Sequence, residues 1–319
     1  MLVRDCSLPY AIEIIDVETK HRLWFELVKR PLFTRKADIY GCCIKLLTDN
    51  RGVSDLWSDN LYSANENMRS HGRLLVVDDP AQPPHVKYDP YTKTALVFNI
   101  DYYGWIKSVA LAVAGEILED SHEIYSVHGA ALDVNGSGVA IVAGSGVGKT
   151  THSWGMLRNP GVRLLADDWF FVRVYERSLL AYGSEKNCYV DADLGQIWKE
   201  YQHMLDRAVF DKRGRAVVNA RWVVGNDGVI PMTVMKKVVI LKRDQSDSTV
   251  LRELEPEEAF EILLKNNFYN PHQLVNDVRK TALRSNFFRN LLKRSRVFLA
   301  NTAHPAAEVQ GEIFHAVTS

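Results

Sequence analysis

The chain has 319 residues, 46% of them hydrophobic, 24% charged and 10% aromatic, with 39 basic residues balanced by 39 acidic ones. That make-up excludes a disordered chain and a disulfide-stapled miniprotein, and a formal charge of zero argues against generic binding to nucleic acid or to an anionic membrane. At roughly 100–200 residues per domain, the length supports two domains, or one large domain with a smaller one appended.

The amino-terminal stretch MLVRDCSLPYAIEIID carries Asp5 and lacks the uninterrupted apolar core of a secretory signal, so no export is expected. The four cysteines, Cys6, Cys42, Cys43 and Cys188, form no CxxC pair and no zinc-like spacing; they read as reduced thiols of a cytoplasmic protein. Between residues 10 and 98, short β-prone stretches (AIEIIDV, IYGCCIKLL, RLLVVDD, TALVFNI) alternate with polar or proline-containing segments, which predicts a β-rich subdomain. Residues 105–118 then show helical spacing. Their most apolar part, SVALAVAGEIL at 108–118, is far short of the roughly 20 residues that span a bilayer and reads as a buried helix. The expected division is a β-rich part with a linking helix at 1–120 and an α/β part at 121–319.

From His128 the pattern carries chemistry. Residues 129–134 (GAALDV) and 139–143 (VAIVA) are β-prone runs joined by Asn135-Gly136-Ser137-Gly138, whose Asn-Gly step suits the positive φ of a tight hairpin. The second run leads into Gly144-Ser145-Gly146-Val147-Gly148-Lys149-Thr150, which opens a short helix that Asn159-Pro160-Gly161 stops. Glycines let successive N–H groups turn inward, and the positive end of the helix reinforces the anion site they form. Phosphate is the natural occupant, with Lys149 reaching the β- and γ-phosphates and the Thr150 hydroxyl on the Mg²⁺ that bridges them. The strict phosphate-loop formula would place its first glycine where Ala143 stands, so the match runs through Gly144, Gly146 and Gly148.

An apolar run at 162–166 ends in Asp167-Asp168, the position where open α/β sheets hold their ligands. Neighbouring side chains on a strand face opposite ways, so both acids serve one site only if the chain leaves the extended conformation there. One acid could then hold Mg²⁺ while the other accepts a proton from an attacking hydroxyl; turn formation is the competing reading. His128 and His152 read, on residue type alone, as structural histidines.

Together His128-Gly129, the hairpin with Gly136 and Gly138, the SGVGKT loop and the LLADD strand resemble the catalytic domain of the HPr kinase/phosphorylase family, in similar order and spacing over 127–168. The resemblance implies a P-loop α/β fold, a mixed sheet with helices related also to phosphoenolpyruvate carboxykinases. It implies an ATP-dependent phosphotransferase acting on an alcohol group, with ATP and Mg²⁺ as cofactors and a serine-type hydroxyl, in a protein or as a small molecule such as free serine, as acceptor. Carried over, Gly144, Ser145, Gly146, Val147, Gly148, Lys149, Thr150 and Thr151 hold the nucleotide, Thr150 and Asp168 contact the metal, and Asp167 is the catalytic base with His128 beside it. Thr151 stands where the family carries an acidic residue, and its downstream arginine–glycine signature has no counterpart, so the expectation stops at kinase activity. Family members also tend to form homo-oligomers. The competing classes are a non-catalytic or switch-type nucleotide-binding module and a carboxykinase-like enzyme.

Downstream, RKTALRSNFFRNLLKRSR at 279–296 holds seven basic and no acidic residues around an apolar stripe of Leu283, Phe287, Phe288, Leu291 and Leu292. It reads as a helix packed on the core with a solvated basic face, or as a dock for an acidic or phosphorylated partner. Glu255-Pro256-Glu257-Glu258 and Pro305 read as helix starts, and 238–241 and 297–300 as strands.

Overall fold

The computed structural model describes residue 8 and residues 10–319; Asp5 and Cys6 lie outside them. The protein is mixed α/β, with ten α-helices and nineteen strands among the described residues. No helix among them is long and apolar enough to cross a membrane. The chain forms two compact units, one of Met1–Ile124, Ser184–Lys186 and Pro271–Lys280, the other of Tyr125–Gly183, Asn187–Asn270 and Thr281–Ser319.

The first unit contains strands β1 (Ala11–Ile14), β2 (Phe33–Ile39), β3 (Cys42–Thr48), β4 (Tyr62–Ser63), β5 (Gly72–Val77), β6 (His85–Asp89) and β7 (Thr94–Phe98), with helices α1 (Val17–Leu27), α2 (Arg51–Asn60) and α3 (Tyr103–His122). The strands form one mixed sheet in the order β1-β6-β7-β5-β3-β2-β4. The run IYGCCIKLL, expected as one stretch, is divided: Tyr40 and Gly41 adopt φ of 49° and 80° and turn the chain back between β2 and β3. Helices α1 and α2 were not expected. Each is started by a side chain that accepts a backbone N–H, Asp16 from Thr19 and Asn50 from Val53. The apolar run 108–118 lies in α3 and is buried throughout. A Cβ at Gly72 would come 2.6 Å from Val113 Cγ1, so glycine lets α3 approach the sheet.

The basic run falls in α9 (Val278–Lys293) and after it, and much of its charge is engaged internally. Lys280, with no exposed surface, lies 2.8 Å from Glu116, 2.8 Å from Glu119 and 3.0 Å from Asp120, all on α3, and Arg279 pairs with Asp120 at 3.1 Å. Within the second unit, Arg289 reaches Glu257 at 3.3 Å and lies over the Phe260 ring, and Arg296 pairs with Glu253 at 2.9 Å. The expected solvated face is therefore only partly solvated.

The second unit contains β8 (Ile124–His128), β9 (Ala130–Val134), β10 (Ser137–Val142), β11 (Val162–Ala166), β12 (Trp169–Val174), β13 (Leu179–Gly183), β14 (Asn187–Asp191), β15 (Val209–Phe210), β16 (Arg215–Asn219), β17 (Met232–Lys242), β18 (Leu251–Leu254) and β19 (Arg296–Asn301). Its helices are α4 (Lys149–Leu157), α5 (Leu194–Ile197), α6 (Gln202–Leu205), α7 (Arg221–Val224), α8 (Pro256–Lys265), α9 (Val278–Lys293, whose residues 278–280 belong to the first unit) and α10 (Ala306–Thr318). The Asn135-Gly136 hairpin forms as expected, with φ of 52° and 87°, and pairs Ser137 directly with Val134.

Strand β10 lies between β9 and β17, and β17 continues the sheet to β19. Strands β10, β17 and β19 are parallel; β9 is antiparallel to both β10 and β11, so β11 shares their direction. Four strands thus bring their carboxyl ends to one edge. Strand β10 is buried on both faces: Val139 and Ile141 join a core with Trp154 of α4 and Ile313 of α10, whereas Ala140 and Val142 join one with Phe260 of α8 and Phe288 of α9. That explains the unbroken apolar run VAIVA. Each large apolar side chain so buried contributes about 1.5–3 kcal/mol of transfer free energy.

Candidate functional site

Strand β10 ends at Val142 and α4 begins at Lys149, so residues 143–148 form the connecting loop. Gly146 and Gly148 take φ of 73° and 114°, which L side chains adopt only with strain. Gly148 precedes the helix, and a Cβ there would also lie 3.4 Å from His152 Cδ2. Gly144 has an ordinary φ and is not required by backbone conformation. No side chain caps α4 and no acid stands in its first turn, so no side chain offsets the positive end of the helix there. Lys149 Nζ folds over the loop, 3.0 Å from Ala143 O and 3.3 Å from Gly144 O. Among residues 144–151, Ser145 and Gly146 are exposed and the others half-buried.

The carboxylates follow β11, where the chain bends at Asp167 and Asp168 before β12, so it does leave the extended conformation. Asp167, 8% exposed, accepts a hydrogen bond from Ser153 Oγ at 3.1 Å, and Ser153 Oγ also lies 3.1 Å from Thr150 O. This ties the acid to the first turns of α4. Asp168 has 36% of its side chain exposed, and its Oδ1 lies 3.2 Å from His128 Nε2. His128 was expected beside Asp167; the ion-pair contact joins it to Asp168.

On its other side, His128 Nδ1 lies 2.6 Å from Tyr269 O. A carbonyl only accepts, so Nδ1 donates to Tyr269 O and Nε2 is the ring atom turned to Asp168. The Tyr269 carbonyl is presented by an unusual turn in which Asn267, Phe268 and Tyr269 all take φ near 50° (48°, 52° and 54°). Such backbone costs on the order of 1 kcal/mol or more per residue. Phe268, 3% exposed, is stacked on Phe288 with ring centroids 4.5 Å apart, which anchors the turn. The turn also brings the Tyr269 ring near Gly144: a Cβ on that glycine would lie 3.9 Å from it.

Several residues that line this edge were not singled out by motif. Thr302 follows β19, and its Oγ1 donates to Val147 O in the loop at 2.8 Å. Arg243 follows β17, and its Nε donates to Thr302 Oγ1 at 3.3 Å. Their one signal is position, since each is the first residue beyond a strand that runs parallel to β10. His152, 2% exposed, contacts Gln310 Oε1 through Nδ1 at 3.1 Å. Burial lowers its pKa against the opposing Gln310 bond, and the charge of Arg243 adds to the lowering. Ser153 lies one helical turn beyond Thr150, spacing that a helix assignment makes visible.

Among the described residues no group of three His, Cys, Asp or Glu side chains is disposed to hold a metal ion. Mg²⁺ that keeps waters and phosphate oxygens needs only one or two protein carboxylates, so a hydroxyl and an aspartate suit it. The uncapped amino end of α4, the two left-handed glycines and the inward lysine suit a phosphate chain. No protein-family model and no curated protein matches the chain.

Proposed function

We propose that the chain is an ATP- and Mg²⁺-dependent kinase with an HPr kinase-like P-loop fold, transferring the γ-phosphoryl to a serine-type hydroxyl in a protein, a peptide or a small molecule such as free serine. The observation that carries this reading is the hydrogen bond from Ser153 Oγ of α4 to Asp167 Oδ1, which ties a carboxylate to the helix that opens at the loop. A flexible glycine turn with no chemistry has no need of that tie.

In this reading the amides of residues 144–151 bind the phosphates, and Lys149 exchanges the carbonyls of Ala143 and Gly144 for phosphate oxygens that carry full charge. Thr150 and Asp167 lie on the metal side, where Mg²⁺ supplies neutralisation of phosphate charge when bound. Asp168, oriented by His128, accepts the proton of the acceptor hydroxyl as that oxygen bonds to phosphorus and the bond to the departing ADP breaks. The two aspartates thus exchange the roles that the family resemblance implies, because the acid tied to α4 is Asp167 and the more accessible one is Asp168. Phosphoryl transfer asks mainly for positioning and charge stabilisation, and these groups are sufficient parts.

The test is Asp168→Asn. It is expected to bind ADP·Mg²⁺ within a few-fold of wild type and to lose transfer by about 100-fold or more, in the range of a lost general base. Unchanged transfer would remove Asp168 from the mechanism.

A further inference from the structure

The loops after β17 and β19 approach the phosphate loop from the side of β10 away from the carboxylates. Lys242 and Asn301 are register partners at the ends of those strands, and Arg243 and Thr302 are the residues that follow. Thr302 N donates to Lys242 O at 2.8 Å and Thr302 Oγ1 to Val147 O at 2.8 Å, while Arg243 Nε donates to Thr302 Oγ1 at 3.3 Å. A directed series of donors therefore runs from Arg243 through Thr302 to the loop. It fixes the guanidinium by one nitrogen only; Nη1 and Nη2 bond to no described residue.

The surroundings keep the fork unpaired. Asp244 and Asp247 are close in sequence, yet both pair with Lys242, and Asp244 also accepts from Ser246. Asn301 Nδ2 holds that loop in place through Asp244 O at 2.7 Å and Asp247 O at 2.8 Å. An exposed arginine with two acids within four residues ordinarily pairs with one of them. In this loop a lysine takes both, and a planar donor pair is left beside the amino end of α4.

We propose that Arg243 binds the α- and β-phosphates of the donor nucleotide, with its two free nitrogens on two phosphate oxygens. The inference rests on the donor site proposed above and adds a residue to it. If the transferable end of the phosphate chain lies toward Asp168, the other end lies toward β17 and β19, where Arg243 stands. A contact made alike before and during transfer strengthens donor binding without accelerating chemistry.

Calorimetric titration of the full chain with ADP·Mg²⁺ tests this. Arg243→Ala is expected to raise the ADP Kd about tenfold or more, the loss expected of a charge-assisted contact, and Arg243→Lys to recover part of it. The exposed arginine control Arg207→Ala is expected to bind as wild type does, and the melting temperature of Arg243→Ala to be unchanged. ADP affinity in Arg243→Ala within twofold of wild type would overturn the inference and leave the donor site intact, as would an equal loss in Arg207→Ala. Failure of the wild-type chain to bind ADP would overturn the donor site and the inference with it.

Discussion

Ser153 and Asp167 are joined by a 3.1 Å hydrogen bond between Oγ and Oδ1, so the helix that opens at the glycine loop holds one acid of the strand-end pair. Ser153 is fully buried, and Asp167 nearly so. Removal of the hydroxyl takes away the donor that ties the carboxylate to α4. Ser153→Ala is expected to lower Mg²⁺ affinity in the transfer reaction about 10–100-fold, the usual cost of losing a group that orients a metal ligand. Ser153→Thr, which retains the hydroxyl, should recover most of it. A Mg²⁺ titration of turnover measures both, and an unaltered Mg²⁺ dependence in Ser153→Ala would detach Asp167 from the metal.

The loop's glycines are not equivalent. Gly146 has open space where a Cβ would go, whereas Gly148 combines a φ of 114° with the His152 ring 3.4 Å from that position. Alanine at either site bears backbone strain, on the order of 1–3 kcal/mol, but only at position 148 would the added methyl also lie against the His152 ring. ADP binding is expected to fall further in Gly148→Ala than in Gly146→Ala. Equal losses would mean that the His152 contact is immaterial.

His152 makes the fold sensitive to mild acid. Burial lowers its folded-state pKa, so the unfolded chain takes up a proton near pH 6.5 that the folded chain refuses. The stability linked to this group is complete above about pH 6.5 and is lost as the pH falls from there toward the folded pKa. His152→Gln is expected to have a shallower fall in melting temperature between about pH 7 and pH 5 than the wild-type chain. Parallel falls would assign the acid sensitivity to other groups.

Lys280 tests whether the basic segment is architecture. It has no exposed surface and faces Glu116, Glu119 and Asp120. Burial pushes the Asp120 carboxyl up, but the bonds from Lys93 and Lys280 outweigh it and hold the group well below the usual range. Lys280→Met would remove a buried cation from beside those carboxylates and is expected to cost about 3–5 kcal/mol in urea unfolding, as for other broken buried ion pairs. A change below about 1 kcal/mol would return this lysine to the solvated face of the helix.

The parts of the site that lie within one local run were legible in the sequence. The hairpin at Asn135-Gly136, the glycine loop, its short helix and the acids after β11 depend on φ preferences, hydrophobic runs and breakers only a few residues apart. The contacts of Thr302 with Val147 and of Tyr269 with His128 join residues more than a hundred positions apart, and no local pattern encodes them. His152 was passed over because a histidine inside a helix has no signature; only its burial against Gly148 and Gln310 distinguishes it. The amphipathic helices α1 and α2 were missed because their apolar positions sit among strand-forming runs, and the caps Asp16 and Asn50 read equally well as turn residues.

In the proposed mechanism Lys149 and Asp168 serve one transfer reaction. The most direct measurement is incubation of the wild-type chain with γ-labelled ATP, Mg²⁺ and a panel of serine peptides and hydroxyl metabolites, beside Lys149→Ala and Asp168→Asn. Label is predicted to pass to one hydroxyl class with the wild-type chain and with neither variant, although all three remain folded. Label that passes only to water, or that passes to an acceptor equally well without Lys149 and without Asp168, would contradict the account.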